Sequence, residues 1–129
     1  MEKFAAFARI AEVEFSDIVL STQDLDHKLR IYLKDKSFID FFYTTKLKIQ
    51  RFSIHWEKTH IDKSIYRLDN TPDKKWSKVP TFPIHFHNKT YNQVEAAPFP
   101  LDQKTSFKSV FRRFLIFVEK QTKSRKEYE

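Results

Sequence analysis

The chain has 129 residues, 40% of them hydrophobic and 14 of them Phe, enough apolar side chain for one domain over 1–129 that folds alone or as a small homo-oligomer. It contains neither Cys nor Gly, which excludes disulfides, thiolate metal sites and cysteine nucleophiles and also the glycine-rich phosphate loops of nucleotide-cofactor enzymes; no cofactor is expected. The formal charge of +7 is uneven, with 2 basic and 6 acidic side chains in residues 1–26, 14 and 8 in 27–102, and 8 and 3 in 103–129, an acidic front on a basic body that suits a polyanionic partner, RNA or DNA first.

The N-terminal stretch MEKFAAFARIAEVEF sets Glu2, Arg9 and Glu12 among its apolar residues. It matches neither a signal-peptide core nor a membrane span of ~20 apolar residues, so a soluble cytoplasmic protein without membrane contact is expected. Phe4, Phe7, Ala8 and Ala11 recur at helical spacing and predict a short amphipathic helix over 2–13. EFSDIVLSTQDLD, which follows, reads equally as strand or loop.

From residue 27 the period becomes two. HKLRIYL alternates Leu29, Ile31 and Leu33 against Lys28, Arg30 and Tyr32, and after KDKS the run SFIDFFY is dense in strand formers, which predicts a hairpin. In LKIQRFSIHWE, Phe52, Ile54 and Trp56 share one face, while Leu47 and Ile49 have the opposite parity, so a bulge is expected near Gln50. SIYRLDN supplies a further strand after the turn KTHIDK. These runs define an α+β fold, a four-to-five-stranded antiparallel meander covered on one face by helices.

Three turns share a pattern: DKS at 35–37, DKS at 62–64 and NKT at 88–90. The middle position of such turns favours Gly because it takes positive φ, and Lys there costs ~1 kcal/mol if that conformation is kept. Residues 70–101 hold all five prolines and no clear period. Trp76, Phe82, Phe86 and Phe99 mark this stretch as ordered, and long ordered loops are often functional. Beyond it, Phe107, Val110, Phe111, Phe114, Leu115, Phe117 and Val118 form one helical stripe opposed by Lys108, Arg112, Arg113 and Lys120. Asp102 or Thr105 is the expected N-cap, Ile116 interrupts the cationic face, and residues 123–129 should fray.

His85 and His87, in PTFPIHFHNKT, project to the same side of an extended segment. Such a pair can supply two metal ligands, with Asp69, His55 or His60 as the third, but the sequence does not identify that third ligand and no metal is expected. It can also act as acid and base in RNA cleavage, one imidazole removing the ribose 2′ proton and the other protonating the 5′ oxygen. Arg67 or Arg51 would then stabilise the phosphorane-like transition state. A structural reading also stands, in which the histidines cap a loop by bonding backbone carbonyls. In YRLDNTP, Asp69 and Asn70 end a strand in an Asx turn, and Arg67 shares a face with Asp69 either as a plain ion pair or to present its guanidinium to phosphate.

The combination IYRLDNTPDKKWSKVPTFPIHFHN resembles the TumE-like family of proposed type II toxins, through Arg67, Asp69, Asn70, Pro72, Trp76, Thr81, Phe82, Pro83, His85 and His87. With LRIYLKDKSFIDFFY, FSIHWE and FRRFLIFVEK, the resemblance covers about residues 27–120. Two departures stand out: Asp73 replaces a histidine frequent in the family, and Lys36, Lys63 and Lys89 replace turn glycines. The resemblance implies a toxin with a helix-turn-helix antitoxin partner but not its target; the basic charge and the paired histidines add the expectation that it acts on RNA or a nucleic-acid process, with a metal-independent endoribonuclease as one form of it. His85 and His87 would be catalytic, with Arg67, Asp69, Asn70, Arg51, Arg112 and Arg113 as substrate contacts. The competing expectation is a non-catalytic module that binds nucleic acid or an acidic protein.

Overall fold

The computed structural model describes residues 2–46, 48, 50–102 and 104–127. Seven strands, β1 Val19–Asp24, β2 Leu29–Leu33, β3 Phe38–Thr44, β4 Arg51–Lys58, β5 Ser64–Asp69, β6 His85–Lys89 and β7 Val94–Glu95, form one antiparallel sheet in chain order. Each strand pairs with its successor in the chain, so the sheet is a meander without crossovers.

Strands β2 to β5 lie where the period of two puts them; the expected count of four to five falls short because β1, β6 and β7 carry no such period. β1 is an edge strand with Val19 alone fully buried, and its register with β2 shifts between Val19 and Ser21. In β6, His85, Phe86 and His87 are all buried. Both faces of that strand are covered, so no alternation of apolar and polar residues reveals it. Leu47 and Ile49, whose parity suggests a bulge near Gln50, lie outside the described residues.

The N-terminal helical segment passes from a 3₁₀ turn, Glu2–Phe4, through α1, Ala5–Arg9, into a π-helical turn, Ile10–Glu14. A single turn, α2 Thr59–Asp62, links β4 to β5, and the long helix α3 is Phe107–Glu127. Residues 128 and 129, part of the stretch expected to fray, lie outside the described residues. The cap of α3 is Ser106, whose Oγ accepts the Ser109 N–H at 3.2 Å. Asp102 and Thr105, the expected caps, instead close the preceding turn: the Thr105 N–H donates to Asp102 O at 3.1 Å.

The helical stripe and the apolar sheet face meet as expected. Phe111 of α3 sits 4.9 Å from Phe41 and 5.3 Å from Phe7, and Phe117 sits 5.5 Å from Tyr66, measured between ring centroids. Phe41, Ile54, Trp56 and Leu68 are fully buried beneath these helices. α1 and α3 therefore cover one face of the sheet, and the residues of opposite parity line the other. Ile116 is exposed on α3, as its position on the polar side requires.

Lys36, Lys63 and Lys89 all take the left-handed conformation, with φ of 76°, 66° and 72°. Two of the turns offset part of that cost in the same way. Asp35 Oδ1 accepts the Ser37 N–H at 2.9 Å, and Asp62 Oδ1 accepts the Ser64 N–H at 3.0 Å, so each Asp-Lys-Ser closes on itself across the left-handed lysine. Lys36→Gly, Lys63→Gly and Lys89→Gly are each expected to stabilise the fold by up to ~1 kcal/mol. Urea denaturation with an unchanged slope is the check.

Candidate active site

Pairing of β5 with β6 sets Arg67 opposite His87 and Asp69 opposite His85. Alternation along each strand sends all four side chains to the face away from α1 and α3. His85 and His87 thus point the same way, their rings 5.1 Å apart, and both meet Arg67 and Asp69. This convergence depends on the loop between β5 and β6 returning in register. Thr81 fastens its end, donating through Oγ to Ile84 O at 2.6 Å and accepting the Ala97 N–H at 3.2 Å. The Phe82–Pro83 peptide just before β6 is cis.

Asp69 is the hub. Its Oδ2 accepts from Arg67 Nε at 3.0 Å, its Oδ1 accepts the Thr71 N–H at 3.0 Å, and the same Oδ1 lies 3.3 Å from His85 Nε2. The expected Asx turn therefore forms on Asp69. Asp69, His85 and His87 are only 4%, 3% and 9% exposed.

Each histidine bonds a backbone carbonyl through Nδ1, His85 to Pro83 O at 3.0 Å and His87 to Tyr91 O at 2.9 Å. A carbonyl oxygen only accepts, so Nδ1 carries the proton in both rings, and Nε2 of each neutral imidazole is a bare lone pair. The structural and chemical readings of these histidines are thereby compatible: Nδ1 braces the loop and Nε2 faces the site. Burial lowers the pKa of His87; the Tyr91 carbonyl opposes the shift, His85 and Arg67 add to it, and Asp69 counters it.

Two aromatic rings wall the site. Trp76 stands 6.3 Å from each imidazole, with Lys75 Nζ 5.2 Å above its ring. Tyr91 lies 6.0 Å from His87 and 6.1 Å from His55. Between them is a groove of about 440 Å³ lined also by Arg67, Thr71, Asp73 and Asn92. Asp73 is thus on the groove wall, and its Oδ1 accepts the Lys75 N–H at 3.1 Å.

The polar face continues across the sheet. Arg30, Asp40, His55, Arg67 and His87 pair in one row over five strands. Arg30 grips Asp40 with two bonds, at 2.8 and 2.9 Å, and Lys28 adds a third at 2.9 Å. Burial alone would raise the Asp40 carboxyl, but Arg30 and Lys28 outweigh it and hold it below its ordinary value. His55 Nε2 meets Glu57 Oε1 at 3.1 Å, while its Nδ1 is buried with no hydrogen-bond partner among the described residues.

The remaining predicted site residues lie elsewhere. Asn70 is a structural bracket: its Oδ1 accepts the Phe52 N–H and its Nδ2 donates to Gln50 O, both at 2.9 Å, extending the β4–β5 ladder by a side chain. Arg51 opens β4 on the polar side but is not among the residues lining the groove. Arg112 and Arg113 belong to α3, on the far side of the sheet. Arg112 makes two 2.9 Å bonds to Glu14, and Arg113 bonds Pro100 O. Tyr91, Lys75 and Lys28 join the site without having been singled out by the sequence pattern. Trp76 is visible in the motif, whereas Tyr91 enters only through the fold of the β6–β7 link.

An α+β protein with an Arg-Asp-His-His centre on the face of a meander sheet opposite its helices is the class that these observations define. The family model described as Toxin TumE matches residues 2–122, and the chain belongs to that toxin family. No curated protein and no solved structure matches it. Among the described residues, no helix is long and apolar enough to cross a membrane.

Proposed function

We propose that the chain is the toxin of a toxin–antitoxin pair, held in check by a helix-turn-helix antitoxin, and that it acts on RNA through the open sheet face. The observation that carries this reading is the convergence of Arg67, Asp69, His85 and His87 between Trp76 and Tyr91. Arg67 is tied to Asp69 through Nε, and this fixes the guanidinium while its terminal amino groups remain suited to a phosphate. Aromatic walls suit unstacked bases, at ~1–3 kcal/mol per stacked base. Lys28 and Lys75 add positive charge along the same face. His87 offers a lone pair that can take a ribose proton. In a protonated His85, both N–H groups point at protein acceptors, Pro83 O and Asp69 Oδ1, so it orients more readily than it donates.

Expression of the chain is expected to arrest growth and fragment cellular RNA. Arg67→Ala should cut both effects by ~100-fold or more, in line with loss of a transition-state contact, and Arg112→Ala should change neither. Arrest that survives Arg67→Ala unchanged, or arrest with intact RNA, would rule the reading out. A second reading, a binding module without turnover, is favoured by the two carbonyl-braced imidazoles; it predicts RNA retention by the purified protein and no cleavage at any pH.

A further inference from the structure

We propose that Asp69, His85 and His87 form a binding site for one divalent transition-metal ion of the Zn²⁺ class. One ligand-capable atom from each residue lies within 4.8 Å of the others, and all three side chains are buried. The sequence offers Asp69, His55 or His60 as third ligand to the pair, and packing selects Asp69. His60 is held on Lys36 O at 2.7 Å, and His55 turns Nε2 to Glu57.

Three features fit the cluster to a metal ion. The first is the tautomer. With Nδ1–H of both rings committed to Pro83 O and Tyr91 O, the neutral rings present only lone pairs to the anionic Asp69. His85 Nε2 lies 3.3 Å from Asp69 Oδ1, and a cation between the two satisfies the carboxylate as a proton on that nitrogen would.

The second feature is distance. Two ligand atoms each ~2.0–2.1 Å from one ion at the tetrahedral angle stand about 3.3 Å apart, and His85 Nε2 and Asp69 Oδ1 are separated by 3.3 Å. The third feature is the surrounding support. Metal-ligating histidines donate their other ring N–H to a carbonyl or carboxylate, and ligating carboxylates are themselves hydrogen-bonded. Here both imidazoles have their carbonyls, and Asp69 has Arg67 on Oδ2 and the Thr71 N–H on Oδ1.

Two imidazoles and one carboxylate suit a borderline divalent ion better than Mg²⁺ or Ca²⁺, which prefer oxygen ligands alone. Three protein ligands leave coordination positions open, the pattern of reactive and not of structural sites. Asp69, His85 and His87 line the same groove as Arg67, so a phosphate held by the guanidinium would lie near the ion. An ion bound there would occupy the His87 lone pair, so the metal-bound centre and the metal-free base are alternatives.

Calorimetric titration of the chelator-stripped full chain with ZnCl₂ tests the proposal without reference to RNA. One equivalent is expected to bind, and the melting temperature should rise with Zn²⁺ concentration. Co²⁺ should give visible bands of a four- or five-coordinate nitrogen–oxygen site. His87→Ala and Asp69→Asn should each weaken Zn²⁺ binding by at least ~10–100-fold, and His55→Ala and His60→Ala should leave it unchanged. Circular dichroism confirms that each variant is folded, and His85→Gln provides a third ligand variant if Asp69→Asn misfolds. Absence of binding, or binding that survives the ligand substitutions in folded protein, overturns the proposal. Zn²⁺ bound with RNA left intact would support the site and sink the RNA reading; RNA cleaved by protein that binds no Zn²⁺ would do the reverse.

Discussion

Asp69→Asn is expected to lower growth arrest by roughly 10²–10⁴-fold while the sheet stays folded, a loss of the size seen when a group that positions reacting side chains is removed. The carboxylate does three things in one place: it fixes Arg67 through Oδ2, faces His85 Nε2 and closes the turn at Thr71. Asn keeps the shape and an oxygen for the Thr71 N–H, so the end of β5 is preserved. It loses the charge that orients the guanidinium and that a cation or an imidazolium needs. If Asp69, His85 and His87 act as a unit, Asp69→Asn combined with His87→Ala should cost little more than either alone. The checks are the inducer dose that halves growth, for the single and double variants, and the melting temperature of each purified protein. A folded Asp69→Asn protein that arrests growth as well as the parent would show that the centre on β5 and β6 is not the toxic one.

The elements legible in the sequence are those whose physics is local. Leu29, Ile31 and Leu33 are buried as their alternation demands, as are Phe52, Ile54 and Trp56. The three left-handed lysines follow from turn chemistry alone. His85 and His87 can be paired because a strand places i and i+2 on one side, whatever the strand packs against. The features that escape such reading are set at long range. Asp69 faces His85 only because fifteen residues without a period return β6 to β5 in that register. The helical pattern puts Arg112 and Arg113 on the polar side of α3, but it does not say which face of a sheet the helix covers. Their distance from the histidines comes from that choice. Asn70 reads as a site residue because the motif includes it. Its bonds to the backbone of Phe52 in β4 and of Gln50 just before it explain its presence in the motif without any contact to a substrate.

Trp56→Ala should be among the most damaging single changes to stability, at about 3–5 kcal/mol. Trp56 is fully buried under α3, stacked on Tyr66 at 5.2 Å and edge-on to Phe117 at 6.5 Å. Its removal empties a large volume at the junction of sheet and helix, which rigid neighbours cannot fill. Two further losses follow. The indole Nε1 donates to Ser37 Oγ at 2.9 Å, and Ser37 is buried in the turn that carries Lys36, so the packing of the core and the closure of that turn are coupled. Lys58 Nζ lies 4.5 Å over the indole face, and without the ring this nearly buried ammonium keeps only Asp62, at 3.1 Å, among the partners seen. Trp56→Phe retains an aromatic body but no donor, and should cost roughly 1–3 kcal/mol. A fall in melting temperature of roughly 10–20 °C for the alanine variant follows for a chain of this length. Urea unfolding of both variants measures the difference. If Trp56→Ala costs no more than Trp56→Phe, the junction is not close-packed around the indole, and the coupling between the core and the Lys36 turn fails with it.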